Sequence, residues 1–139
     1  KKLKAFAPGG ASSNFLPAEK ADTPIDFNHL SKAGRMLGSG ALFVVAEGTD
    51  MMQLGTNVVR FFRNESCGKC VPCRVGTEKA VKMLQDMLVN GGRREQLELL
   101  DELADTMLQT SICGLGQVAL NPILSVAKHF PNDVAAHVK

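Results

Sequence analysis

Two rhythms of apolar and polar positions divide the chain. Up to about residue 46 the apolar residues come in short runs, interrupted by Pro8, Gly9, Gly10, Pro17, Pro24, Gly34, Gly38 and Gly40. No long helix fits between so many breakers. Leu3–Ala7 and residues 41–46 read as strands, residues 9–14 as a turn and residues 27–33 as a short helix. A sheet with so few strands is marginal by itself, so residues 1–46 are expected to be part of a small α+β unit with partners upstream. From Thr49 onward the period becomes helical. Thr49 or Asp50 can cap a helix with Met51, Leu54, Val58 and Phe61 or Phe62 on one face. A second helix is expected from about Val75, with Thr77, Ala80, Val81, Leu84 and Leu88 inward, ending at Asn90-Gly91-Gly92. A third covers about residues 93–108 around Leu97, Leu100, Ala104 and Met107, and a fourth opens at Asn121-Pro122 and stops before Pro131. The expected fold class is therefore α+β, with a partial sheet unit over residues 1–46 followed by a four-helix bundle over 47–139. No internal repeat or low-complexity segment is present.

Composition adds little to this outline. Hydrophobic residues make up 45% of the 139, enough for a packed core. Sixteen basic against 14 acidic residues leave a net charge of +2, which excludes a polyanion or nucleic-acid binder read from charge alone. The longest apolar run, Ala41-Leu42-Phe43-Val44-Val45-Ala46, falls far short of the roughly 20 residues of a membrane-spanning helix, so a soluble chain is expected. Lys1-Lys2-Leu3-Lys4 is not an initiator Met and lacks the apolar stretch of a signal peptide, as expected of a piece of a longer protein.

The four cysteines change the picture. Cys67-Gly68-Lys69-Cys70-Val71-Pro72-Cys73 is C-x2-C-x2-C, and the fourth, Cys113, lies beyond the second and third expected helices. Clustered cysteines without a secretory signal point to metal rather than to disulfides. Three thiolates two residues apart can wrap three irons of a [4Fe–4S] cubane from one short segment, while the fourth iron needs a ligand from elsewhere. An antiparallel pair of helices would return the chain to the first segment and supply Cys113. A zinc-stabilised interaction module built on the same four cysteines is the alternative, but zinc usually takes two separated C-x2-C pairs. Lys69 and Arg74 are candidates for tuning the cluster, since cations favour its more negative reduced state. Gly38-Ser39-Gly40 lacks the third glycine and the preceding strand of a dinucleotide fingerprint and reads as a turn. His29, His129 and His137 have no ligand spacing, and the Met51-Met52 pair reads as core filling. No Ser/His/Asp or paired-carboxylate arrangement stands out, and no catalytic residue is assigned.

The stretch from Glu65 through Cys67, Cys70 and Cys73 to Thr77, together with Ser111-Ile112-Cys113-Gly114-Leu115-Gly116, resembles the family of flavoprotein subunits of NADH-linked complexes. That family includes the NADH-binding subunit of respiratory complex I and the matching subunits of NAD-reducing hydrogenases and NAD-dependent formate dehydrogenases. Gly9-Gly10-Ala11-Ser12-Ser13 through Gly38-Ser39-Gly40 is similar to the family's β-grasp (ubiquitin-like) domain. Gly114-Leu115-Gly116-Gln117 with Asn121-Pro122 looks more like the soluble formate dehydrogenase and hydrogenase members than like complex I.

The resemblance implies a two-to-one electron conversion, in which NADH and FMN exchange a hydride and the flavin exchanges single electrons with the cluster. It carries over Cys67, Cys70, Cys73 and Cys113 as ligands. The family holds FMN and NAD(H) in a large N-terminal glycine-rich domain with no counterpart in these residues, so the chain alone is expected to be inactive. Other iron–sulfur subunits are the implied partners, without nucleic acid or a transmembrane segment. The implied location is the cytoplasm or the membrane-peripheral arm of a complex.

Overall fold

The computed structural model describes residues 1–32 and 37–139, and the expected end of the first helix at Ala33 lies outside the described residues. Leu3–Ala7 forms the central strand β1, flanked by the two-residue β2 (Leu16–Pro17) and by β3 (Phe43–Ala46) in the antiparallel order β2-β1-β3. Phe6 stands between Leu16 on one side and Val44 on the other. The third strand starts two residues later than its apolar run, because the Ala41 carbonyl instead accepts a 2.7 Å hydrogen bond from Gly10 N–H. Gly10, Gly38 and Gly40 have φ values of 75°, 52° and 74°, which glycine adopts without strain. The Ser39 amide donates to the Gly9 carbonyl at 3.3 Å, so Gly38-Ser39-Gly40 is a turn folded onto Gly9-Gly10. Helix α1 (Phe27–Lys32) buries only Leu30.

Helix α2 (Met51–Glu65) begins where expected, with Asp50 accepting hydrogen bonds from the Met52 and Gln53 amides at 2.9 and 3.1 Å. Its buried residues are Met51, Met52, Gly55, Thr56, Val58, Val59 and Phe62, a wider stripe than the spacing indicates, and Phe61 faces outward. The stripe is wide because α2 packs against two neighbours, α3 (Val71–Asn90) and α6 (Asn121–His129). Helix α4 (Arg94–Thr110) extends past its expected C-terminal end. Two short helices have no sequence signal: α5 (Gly114–Val118) and α7 (Pro131–Ala135). Each is only five residues long, below the length at which periodicity shows. At α6 the N-cap is Leu120, which puts Asn121 inside the helix rather than at its cap.

One continuous core joins Ala5, Ala7, Phe15 and Val45 of the sheet region to Met52, Val59, Leu84 and Ile123 of the helices. Polar links cross the same junction. Lys4 Nζ donates to Asp133 of α7 at 2.7 Å and to the Thr49 carbonyl at 2.6 Å, while the Met51 amide donates to the same Asp133 oxygen at 3.1 Å. The Phe15 amide donates to buried Ser125 Oγ in α6 at 2.8 Å. Among the described residues no helix is long and apolar enough to cross a membrane.

Asp50 provides a test of this clasp. Its carboxylate caps α2 and meets His137 Nε2 at 2.6 Å, tying the end of the chain to the start of the helix. Partial burial opposes its ionisation, but the Gln53 amide, His137 and the Met52 amide outweigh it and hold Asp50 below its ordinary value of 3.8. A depressed carboxylate stabilises the fold above the unfolded-state value, and this contribution disappears as pH falls through the folded-state value. Asp50→Ala is therefore expected to cost about 1 kcal/mol at neutral pH. Its difference from wild type should shrink in urea unfolding curves measured below the ordinary value of 3.8.

Candidate metal centre

Helix α2 stops at Glu65 and the chain turns at once into α3 through Ser66 to Cys70. Gly68 makes this possible with φ 75°, a left-handed conformation in which a side chain would be strained. The turn is braced by Arg74, whose Nη1 donates to the Gly68 carbonyl at 2.6 Å, and by Ser66 Oγ, which accepts from the Gly68 amide at 3.3 Å. Arg74 thus closes the loop on itself, while Lys69 is exposed.

Helix α3 begins four residues before its expected start, at Val71, because Pro72 in the first turn needs no amide donor and has a helical φ. Cys70 becomes the N-cap and Cys73 falls inside the first turn. Cys73 is 5% exposed, backed by Thr77, whose hydroxyl donates to the Cys73 carbonyl at 2.7 Å. Cys67 is exposed at the turn.

The chain comes back along α4, which ends at Thr110. Ser111 is buried, Ile112 and Cys113 are exposed, and Cys113 is the N-cap of α5. Gln117 holds this return segment by donating from Nε2 to the Ser111 carbonyl at 3.1 Å. The two segments meet at two points. The Ile112 amide is close enough to the Cys70 thiol to lower its pKa. A Cβ on Gly116 would lie 2.9 Å from Cys73 Cβ and 2.5 Å from Ser111 Oγ, so α5 runs directly against the first turn of α3.

These amides also set the acidity of Cys70. Its thiol is held below the ordinary value of 9.0, first by the Ile112 amide and then by the Cys73 amide, against desolvation, with its own amide and the Arg74 charge adding smaller contributions. A lowered pKa favours the thiolate, the form that binds metal. All four cysteines are free. Among the described residues no three His, Cys, Asp or Glu side chains are gathered closely enough to hold a single metal ion. The donor set suits a cofactor that accepts hydrogen bonds. Free thiols line the junction, amides converge on one of them, and Ser111 Oγ is enclosed without a hydrogen-bond partner.

Ser66, Ser111 and Gly116 lie in the stretches that carry the resemblance, but nothing in the sequence assigns them a role at the site. Serine and glycine beside cysteines have no distinctive spacing, and their part emerges only when the two segments are brought together. His137, which reads as a terminal residue, is the partner of Asp50.

Fold and site together define a cysteine-rich cofactor-binding helical region joined to a small sheet. Comparison with known proteins makes the class particular: residues 53–137, more than half of the chain, match the NADH-ubiquinone oxidoreductase-F iron-sulfur binding region. The chain belongs to this [4Fe–4S] family. It is 37% identical over its whole length to the F 2 subunit of the NADH-quinone oxidoreductase of Rhizobium meliloti (strain 1021), covering 33% of that protein. Across 99% of its length it is 36% identical to the HndC subunit of the NADP-reducing hydrogenase of Solidesulfovibrio fructosivorans, covering 28% of it. The crystal structure of an NAD+-reducing [NiFe]-hydrogenase in the H2-reduced state superposes on 99% of the chain and 24% of its own, with a TM-score of 0.87 at 30% identity. The chain thus spans about a third or less of these relatives.

Proposed function

We propose that residues 47–139 are a helical domain, a bundle of the four longer helices α2, α3, α4 and α6 with the short α5 and α7 added, holding a [4Fe–4S] cluster on Cys67, Cys70, Cys73 and Cys113, and that residues 1–46 form a partial β-grasp unit against it. When bound, the cluster supplies one-electron transfer between a flavin/NADH site elsewhere in the protein and further redox centres. The observation that carries the reading is the meeting of the two cysteine segments at the first turn of α3, with the Ile112 amide on Cys70 and Gly116 against Cys73.

The residues of this chain hold and bias the site. Cys73 provides an enclosed thiolate, Cys70 an acidified one, and Cys67 and Cys113 two at the surface. Amide donors at Ile112 and Cys73 favour negative charge at the site. The hydrogen bond from Arg74 to the Gly68 carbonyl fixes the loop that carries Cys67.

The parent protein is then one subunit of an NADH-linked oxidoreductase that works alongside iron–sulfur partner subunits, in the cytoplasm or the peripheral arm of a complex. Likeness to the hydrogenase subunits supports a hydrogenase, and the resemblance of Gly114-Leu115-Gly116-Gln117 with Asn121-Pro122 to soluble members supports a hydrogenase or formate dehydrogenase. The complex I NADH-binding subunit is the second reading, favoured by the 37% identity to the Rhizobium meliloti NADH-quinone oxidoreductase. FMN and NAD(H) contacts are assigned to the part of the subunit outside this chain.

Anaerobic purification should give a brown protein with iron and sulfide in the amounts one [4Fe–4S] cluster requires. These residues alone should be reducible by dithionite but not by NADH, because a nicotinamide does not readily give up single electrons without a flavin. A colourless protein carrying zinc would overturn the cluster. Saturable NADH oxidation by these residues would overturn the placement of the flavin site.

A further inference from the structure

Two serine hydroxyls stand on the two cysteine-bearing segments, Ser66 against Cys73 itself and Ser111 across Gly116 from it. Ser66 Oγ lies 3.2 Å from Cys73 Sγ and accepts from the Gly68 amide at 3.3 Å. A cysteine bound to iron is a thiolate without a proton, so in the pair only the serine O–H can donate. With Gly68 N–H directed at a lone pair of Ser66 Oγ, a relay forms from the amide through the hydroxyl to the sulfur. Ser111 lies on the other segment, at the α4–α5 junction. It is 6% exposed, and its hydroxyl is the one enclosed side-chain polar atom without a hydrogen-bond partner among the described residues. A Cβ at Gly116 would lie 2.5 Å from Ser111 Oγ and 2.9 Å from Cys73 Cβ, so this hydroxyl and Cys73 both close on Gly116. A buried hydroxyl left unpaired costs about 1–3 kcal/mol, so its persistence at this position calls for an acceptor that the protein chain does not provide.

We infer that Ser66 and Ser111 are positioning residues of the cluster, donating hydrogen bonds to its sulfurs from the two cysteine-bearing segments and raising its reduction potential. The inference rests on the cluster reading above. Reduction adds negative charge to the thiolates and sulfides, and hydrogen bonds to those sulfurs strengthen with that charge, so the donors favour the reduced state. Ser66 acts on the Cys73 thiolate. Ser111 donates from the return segment.

The test uses Ser66→Ala and Ser111→Ala, singly and together, in the full-length protein purified with its cluster. Iron and sulfide are quantified first. A redox titration followed by the paramagnetic signal of the reduced state then gives the potential, and couplings to exchangeable protons are compared in H2O and D2O. Each variant should keep its iron and sulfide and titrate at a more negative potential, with a several-fold smaller reduced fraction at a fixed ambient potential. The double variant should shift furthest and lose exchangeable-proton couplings. Ser66→Thr, which retains the hydroxyl, should restore the wild-type potential. Where Ser111→Ala loses iron, half-buried Ser66 decides. Variants with full iron content, wild-type potential and unchanged couplings overturn the inference, whereas a wild-type protein without iron and sulfide overturns the cluster reading itself.

Discussion

Cys113→Ser is expected to yield a three-iron or empty site in a protein that folds as well as the wild type. A serine oxygen is a harder, more basic ligand than a thiolate, and iron–sulfur clusters depend on soft sulfur donors. A corner iron without its thiolate is readily lost. The fold should tolerate the change, because Cys113 is exposed at the N-cap of α5 and its side chain makes no capping hydrogen bond. Exposed substitutions of this kind usually stay within about 0.5 kcal/mol. This combination distinguishes a ligand from a packing residue. Cys73→Ser should also lose iron, but there the thiol is 5% exposed and the metal-free protein should be destabilised as well. Iron and sulfide analysis, the paramagnetic signal of the reduced state and urea unfolding of the metal-free forms check both expectations. Cys113→Ser with full iron content and an unaltered signal would remove Cys113 from the proposed ligand set.

The parts of this fold that can be read from the sequence are those with a strong local cause. Asp50 before an apolar period marks the start of α2, and Asn90-Gly91-Gly92 marks the end of α3, where Gly91 has φ 80°. Leu3–Ala7 stands out as a strand because Pro8 and Gly9 follow it directly and set its limit. What escapes depends on tertiary pairing or on assigning a breaker to the wrong side. The expected start of α3 falls too late because Pro72 reads as part of the loop, whereas a proline in a first turn belongs to the helix. β2 has two residues and exists only through its pairing with Ala5 and Phe6. The inner face of α2 cannot be narrowed to one stripe from spacing, since α3 and α6 both cover it.

The candidate site shows the same division. C-x2-C-x2-C carries its own chemical signature, so the cysteines are proposed as ligands from the sequence alone. The groups around them are not. The Ile112 amide lowers the Cys70 pKa only because α4 returns the chain to the first turn of α3, and Ser66 Oγ meets Cys73 Sγ only because Gly68 bends the loop back. Ligand type is a local property of a sequence, while the hydrogen bonds that adjust a ligand are a property of the assembled junction.

Gly116→Ala is expected to disrupt that junction, although it adds a single methyl group. The new Cβ would sit 2.5 Å from Ser111 Oγ, 2.7 Å from Ser111 Cβ and 2.9 Å from Cys73 Cβ. Rotating Ser111 can move its hydroxyl, but both Cβ atoms are fixed to their backbones. Relief therefore requires α5 to move away from the first turn of α3. Overpacking of this kind typically costs about 1–3 kcal/mol. The same movement separates Cys73 from Cys113, so iron content should fall along with stability. Gly76→Ala supplies the comparison, because its Cβ would also meet short contacts, 2.6 Å to Met107 Sδ and 2.9 Å to Met107 Cγ. Those atoms belong to an unbranched side chain that can turn aside. Gly76 also lies within α3, where alanine gains roughly 0.5–1 kcal/mol over glycine, offsetting part of the strain. Gly76→Ala should thus stay near wild type in urea unfolding and keep its iron, while Gly116→Ala loses both. Equal behaviour of the two variants would mean that the approach of α5 to Cys73 does not govern the site.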